Sequence, residues 1–247
     1  MIKKEKGIEY EVIKSKKESS INLVFVHGTG CNKKFLKSLA LMFTECNCYL
    51  LDLPGHGGSD NTGYDFNNYV KVITNFVKKL NNVVLIGHSL GGTLVLKTAS
   101  LKLKSIIGIV LLNSSASWYG LDKEVMKKVH NGIIDIEYLM EASGNTDNED
   151  VINALKTMEP NGVTIADFLI DEYINIESYL DKIKVPTMII GGEDEILAIP
   201  EYSEKLHESI KKSEMVMIPG RHMSCLARKN SVKEIVCEFI DEKILKN

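Results

Sequence analysis

A doubly wound, mostly parallel α/β sheet carrying a small helical insertion is the fold class that this 247-residue chain predicts. Three observations predict it. Short apolar, β-branched runs alternate with helix-like segments along most of the chain, as they do where a parallel sheet is covered on both faces. The alternation stops at Ser114 and resumes near Ile176. The clusters of residues able to do chemistry fall at the ends of the apolar runs, where ligands sit in open α/β sheets.

The elements follow in order. Ile8 to Ile13 alternates and reads as a half-exposed strand, and Lys14 to Ser20 as a polar turn. Ile21 to Val26 is a second strand that ends in His27-Gly28-Thr29-Gly30. Phe35 to Phe43 has helical spacing, and Cys48 to Leu53 is a strand running into the turn-rich Pro54 to Asp60. Phe66 to Leu80 places Tyr69, Val70, Ile73, Phe76, Val77 and Leu80 at helical intervals. A buried strand then leads through Gly87-His88-Ser89-Leu90-Gly91 into a helix, followed by an apolar strand from Ser105 to Asn113. Residues 114–175 are polar, helix-prone and broken by Gly120, Gly132, Gly144 and the stretch 159–162, which reads as a helical cap or lid. Beyond it come a helix (Ile176 to Ile183), a strand (Pro186 to Gly191), a helix (Tyr202 to Ile210), a strand (Met215 to Ile218) and a final amphipathic helix (Ser231 to Leu245). The predicted organisation is a core of 1–113 and 176–247 with the insertion 114–175 between its halves.

Composition narrows the function classes. Hydrophobic residues at 44% and charged residues at 26% are ordinary globular values. A net charge of −3 carries no polyanion-binding signature, so no nucleic-acid partner is expected. Five cysteines at irregular spacings fit free thiols in a reducing compartment better than a disulfide or zinc framework. The N-terminus shows no apolar signal core, and the longest apolar run, Ile106 to Leu112, is too short to span a bilayer. A cytoplasmic protein without a membrane span is expected. Oligomeric state has no signal in the sequence.

G-x-S-x-G recurs by chance in roughly one chain in ten of this length, so its setting carries the weight. Here it lies between a strand and a helix, where a tight turn lifts the Ser89 hydroxyl above the sheet edge and glycines leave room for it. A serine hydroxyl attacks only when a base takes its proton and a third group orients that base. His222, just past the last strand in Ile218-Pro219-Gly220-Arg221-His222, is placed to be the base. His27 and His56 lie in glycine turns, His88 would point away from its neighbour, and His130 and His207 fall in helices. The acid belongs at another strand end. Glu193, Asp194 and Glu195 all follow Gly191-Gly192; Asp194 is the preferred member and Glu195 the next. The Gly28 to Lys34 loop lacks the spacing and the Ser/Thr of a phosphate-binding loop.

The order Ser89, acid, His222, together with the elbow, the His27-Gly28 loop and Asp52-Leu53-Pro54-Gly55-His56-Gly57-Gly58-Ser59, resembles an α/β-hydrolase from about Leu23 to the C-terminus. That resemblance puts the acid three residues past the glycine closing its strand: Asp194 if the strand closes at Gly191, Glu195 if it closes at Gly192. It also implies an oxyanion hole from the backbone N–H groups of Thr29 and Leu90, such donors contributing about 3–4 kcal/mol each. Members often carry Gly before the catalytic histidine. Arg221 stands there instead, and is read with Trp118 as a candidate substrate contact. Tyr119, Tyr138, Leu139, Met140, Met158, Phe168, Leu169 and Tyr173 are further residues available to a pocket under the lid. The expected activity is that of a serine esterase or lipase-like hydrolase on a small-molecule carboxylic ester, with no metal or organic cofactor. A thioesterase, C–C bond hydrolase, acyltransferase or perhydrolase would use the same residues, and a non-catalytic binding protein is the competing class.

Overall fold

The computed structural model describes residues 1–159 and 161–246. Eight strands form one sheet: β1 (Ile2–Glu5), β2 (Ile8–Ile13), β3 (Asn22–Val26), β4 (Asn47–Leu51), β5 (Val83–His88), β6 (Ile106–Leu112), β7 (Thr187–Gly192) and β8 (Ser213–Ile218). Their spatial order is β1-β2-β4-β3-β5-β6-β7-β8. β1 and β2 pair antiparallel at one edge, β2 is antiparallel to β4, and every later pairing is parallel. Strand order reverses about β3, which sits between β4 and β5. The carboxyl ends of β3 and β5 therefore open side by side at a switch point.

Alternate residues of each strand feed two cores. Leu23, Phe25, Leu50, Val84 and Ile86 pack on one face, with α1 (Lys37–Ala40), α9 (Ser224–Ala227) and α10 (Lys229–Phe239). Val24, Val26, Leu51, Val83 and Leu85 pack on the other, with α2 (Phe66–Val77), α3 (Leu90–Ala99) and α8 (Pro200–Ser209). Two local signals show directly. The Asp65 side chain caps α2 by accepting from the Asn68 N–H, and Pro200 opens α8, where its missing N–H costs nothing.

Some elements differ from expectation. The Phe35 to Phe43 stretch buries Phe35, Leu36, Leu39 and Phe43, but only Lys37–Ala40 is α-helical. Flanking bonds such as Phe35 N–H to Asn32 O and Phe43 N–H to Ala40 O skip three residues rather than four, so helical spacing is kept by tight turns. Residues Glu177–Lys182 form a 3-10 helix, and α10 ends in a π-helical turn at Ile240–Leu245. β1 is wholly exposed and lysine-rich, an edge strand with no periodicity to reveal it.

Between β6 and the 3-10 helix run α4 (Lys123–His130), α5 (Ile136–Ser143), α6 (Glu149–Leu155) and α7 (Asn161–Tyr173). Asp122, Asp135 and Asn148 cap the first three. Of the break expected at 159–162, residue 160 lies outside the described residues. Met126, Val129 and Phe168 form a small core of this segment. A bridge between Ser117 and Asn175, and a bond from Ile176 N–H to Ala116 O, bring its two ends together over the sheet. Among the described residues, no helix is long and apolar enough to cross a membrane.

Candidate active site

Ser89 stands between β5 and α3 at φ 54°, ψ −126°, a conformation that costs a non-glycine residue about 1–3 kcal/mol. Its surroundings hold it there. The Ser89 N–H donates to Leu112 O at 3.0 Å, and its carbonyl accepts from Gly92 N–H at 2.8 Å and from the Ser114 hydroxyl at 2.7 Å. The flanking glycines are steric requirements: a Cβ on Gly87 would run into the Gly91 main chain, and one on Gly91 into the carbonyls of Val26 and His27. Gly28 approaches from β3; a Cβ there would stand 3.0 Å from Ser89 Cβ and 3.0 Å from His88 Nδ1.

His222 follows β8, and its side chain shares a cavity with Ser89. Nδ1 of His222 lies 2.7 Å from Glu195 Oε2, and both side chains are buried. The preferred acid of the sequence, Asp194, is not the partner. Asp194 is exposed, and its carboxylate accepts the Gly220 N–H at 3.2 Å on the outer side of the turn. The reason is register. β7 pairs with β8 through Gly192 opposite Ile218, so the strand closes at Gly192, and the third residue beyond it is Glu195.

Burial would raise the Glu195 carboxyl, but the charge and hydrogen bond of His222, with the Leu197 N–H and Asn113 amide, outweigh it and hold Glu195 below the usual carboxylate value. Asn113 Nδ2 donates to Oε2 at 3.0 Å, and the N–H groups of Ile196 and Leu197 donate to Oε1 at 3.0 Å each. Every lone-pair direction is served, which is what lets a carboxylate stay charged in the interior. Asn113 closes β6 at φ 47° and had no assigned role in the sequence.

His88 supports His222 from below. Its ring lies 4.7 Å from that of His222 and Nε2 donates to the His222 carbonyl at 2.9 Å. Burial and the neighbouring His222 push His88 down to about 3, so it stays neutral.

Leu90 is the first residue of α3, so its N–H has no acceptor within the helix and sits at the positive end of the helix dipole. Thr29, in the loop after β3, lines the same cavity. That loop is gripped by α7. Asp167 accepts the Gly30 N–H at 2.9 Å, and Asp171, one helical turn on, accepts the Thr29 hydroxyl at 2.6 Å. Asp167 is also bound by His56 Nε2 at 2.9 Å and by the Tyr69 hydroxyl at 3.0 Å. Burial alone would lower His56, but the Asp167 hydrogen bond and charge reverse this and raise it. These two acids were not singled out in the sequence. Their signal is visible there: carboxyls four apart in the apolar run Ala166-Asp167-Phe168-Leu169-Ile170-Asp171.

Asp52, in the glycine-rich turn, is structural. It accepts from the Lys33 N–H at 2.6 Å, the Lys33 ammonium at 2.6 Å and the Gly58 N–H at 2.8 Å. His27 accepts the Leu53 N–H at 3.2 Å and ties the same turn to β3.

The cavity over Ser89 measures about 50 Å³ and is lined mainly by Trp118, Leu121, Leu139, Met158, Phe168, Leu197 and Met223. Trp118, Leu139, Met158 and Phe168 thus reach it among the aromatic and apolar candidates of the sequence; Tyr119, Met140 and Tyr173 are exposed at the surface. Arg221 does not reach it. Its guanidinium donates to the Glu141 carbonyl at 2.8 Å on the outside of α5, because the backbone turn that brings His222 inwards leaves its neighbour facing out. Among the described residues, no group of three or more His, Cys, Asp or Glu side chains is gathered as a metal site would need.

The chain matches known proteins along most of its length. A model of the alpha/beta hydrolase family matches residues 23–228. A pimeloyl-(acyl-carrier protein) methyl ester esterase from Wigglesworthia glossinidia brevipalpis is 28% identical over 230 residues, covering 81% of this chain and 86% of that protein. The solved structure of a lipase-esterase related protein from Clostridium acetobutylicum ATCC 824 superposes with a TM-score of 0.91 at 32% identity, over 95% of this chain and 100% of its own. An enol-lactonase from Burkholderia xenovorans LB400 shares the fold at a TM-score of 0.83 and 16% identity, over 98% of this chain and 100% of its own.

Proposed function

The chain belongs to the alpha/beta hydrolase family, and from that premise we propose that it cleaves small or medium carboxylic esters through an acyl-enzyme on Ser89. Ester hydrolysis as the class follows from the family and from esterase-type relatives over most of the chain. The observation that carries the finer reading is the pairing of buried Glu195 with His222 Nδ1 at 2.7 Å, in the cavity that also holds Ser89. Glu195 fixes the tautomer that leaves Nε2 of His222 free to take a proton, and stabilises the imidazolium that results.

In this reading Ser89 Oγ attacks the ester carbonyl carbon while His222 takes the hydroxyl proton. The carbonyl oxygen becomes an oxyanion held by the N–H groups of Thr29 and Leu90. The tetrahedral intermediate collapses, His222 returns the proton to the departing alkoxide, and the acyl group stays on Ser89. Water, deprotonated by His222, then attacks the acyl carbon, and Ser89 leaves with its proton restored. Residues 114–175 serve as the cap whose apolar lining excludes bulk water from the site.

The test is Ser89→Ala assayed on a p-nitrophenyl short-chain ester. Turnover is expected to vanish with the circular dichroism spectrum unchanged. Wild-type turnover by the variant would refute the acyl-enzyme.

A further inference from the structure

The cap contributes one buried acid to the cavity that ester cleavage does not use. Asp171, on α7, lines the cavity and is 4% exposed. Its Oδ2 accepts the Thr29 hydroxyl at 2.6 Å, while Oδ1 is buried without any partner. A polar atom buried and unpaired is costly, and in native proteins such an atom calls for a cause. Two other polar side chains of the lining are committed to the protein. The Trp118 indole N–H donates to Thr93 Oγ1 at 3.2 Å, and the Ser143 hydroxyl to Leu139 O at 2.7 Å. His88 Nδ1 also lacks a partner; it lies beside Gly28, where an added Cβ would stand 3.0 Å from it, and its ring is held neutral by burial.

The chemistry of Oδ1 can be specified. Burial, outweighing the Thr29 hydrogen bond and reinforced by the nearby Asp167 charge, raises the Asp171 carboxyl well above the usual range and favours its neutral form. With Oδ2 engaged as acceptor, the proton falls to Oδ1, leaving an O–H donor without an acceptor in the free protein. Since Thr29 holds one end of this carboxyl, the donor lies within a side chain's length of the position assigned to the ester carbonyl.

We propose that Asp171 is a specificity-determining residue that hydrogen-bonds a hydroxyl or keto oxygen carried by the substrate within a few carbons of its ester group. The inference rests on the esterase reading above and names the substrate class of that site: oxygen-substituted short esters rather than plain alkanoyl ones.

The experiment compares kcat/KM for matched esters, titrating the released acid. Methyl 3-hydroxybutyrate against methyl butyrate tests an oxygen on the acyl side; 2-hydroxyethyl butyrate against propyl butyrate tests the alcohol side. Wild type is expected to favour the oxygen-bearing member of one pair by about tenfold, the worth of one good hydrogen bond. Asp171→Leu should bring that ratio close to one, and Asp171→Asn, which keeps a donor, should restore most of it. Fluorophosphonate labelling of Ser89 in each variant reports that the site is still assembled. Equal turnover within both pairs by wild type, or a preference that survives in Asp171→Leu, overturns the inference and leaves the esterase reading standing. Failure to hydrolyse any of the four esters, with Ser89 unlabelled, overturns both.

Discussion

Glu195 Oε2 lies 2.7 Å from Nδ1 of His222, while the adjacent Asp194 faces outwards to the Gly220 N–H at 3.2 Å. Neighbouring acids thus have unrelated surroundings, and substitution separates them. Glu195→Gln is expected to lower kcat by about 10³–10⁴-fold, since the amide cannot hold the required tautomer or stabilise imidazolium. Asp194→Asn should stay within about threefold of wild type. Steady-state kinetics on one chromogenic ester decides; the reverse ranking would return the acid to Asp194.

The elbow stores strain that glycine would release. Ser89 sits at φ 54°, ψ −126°. Ser89→Gly is expected to be inactive yet more stable than Ser89→Ala by about 1 kcal/mol, which raises Tm by roughly 2–4 °C in a chain of this size. Calorimetry on the two variants reads the difference. Equal Tm values would show that the backbone is unstrained.

Two buried pairs should give opposite pH dependences of stability. The His56 value is raised by Asp167, so its contribution is complete below the unfolded imidazole value of about 6.5 and is lost as pH rises through the folded value. Glu195 is held low, so its contribution is present above the unfolded carboxyl value of about 4.3 and is lost as pH falls through the folded one. In thermal melts, the deficit of Asp167→Asn relative to wild type should therefore shrink on going from pH 6 to pH 9. That of Glu195→Gln should shrink from pH 6 towards pH 3. A deficit that does not change with pH in either case would mean that the pair is held by packing rather than charge.

Much of the fold was legible because its signals are local. Apolar runs gave every parallel strand within a residue or two, and Gly-x-Ser-x-Gly marked its own turn because only glycine fits beside the Gly91, Val26 and His27 main chain. β1 was illegible, since an exposed edge strand of Ile2-Lys3-Lys4-Glu5 has no buried face to impose a period. The carboxylate partner of His222 turned on one residue of strand length. Whether β7 closes at Gly191 or Gly192 is fixed by its pairing with β8, a long-range contact that a local reading does not contain. Asp167 and Asp171 were hidden for a similar reason: they look like the polar stripe of a surface helix until the Gly28–Gly30 loop is seen against them.

If Ser89 is an activated nucleophile served by His222 and Glu195, it reacts covalently with a phosphorus electrophile. Mass spectrometry of the protein after treatment with a fluorophosphonate probe tests it most directly. A single stoichiometric adduct is expected on the peptide containing Ser89, abolished in Ser89→Ala and slowed strongly in Glu195→Gln. Intact protein that remains unlabelled, or an adduct on another residue, would contradict it.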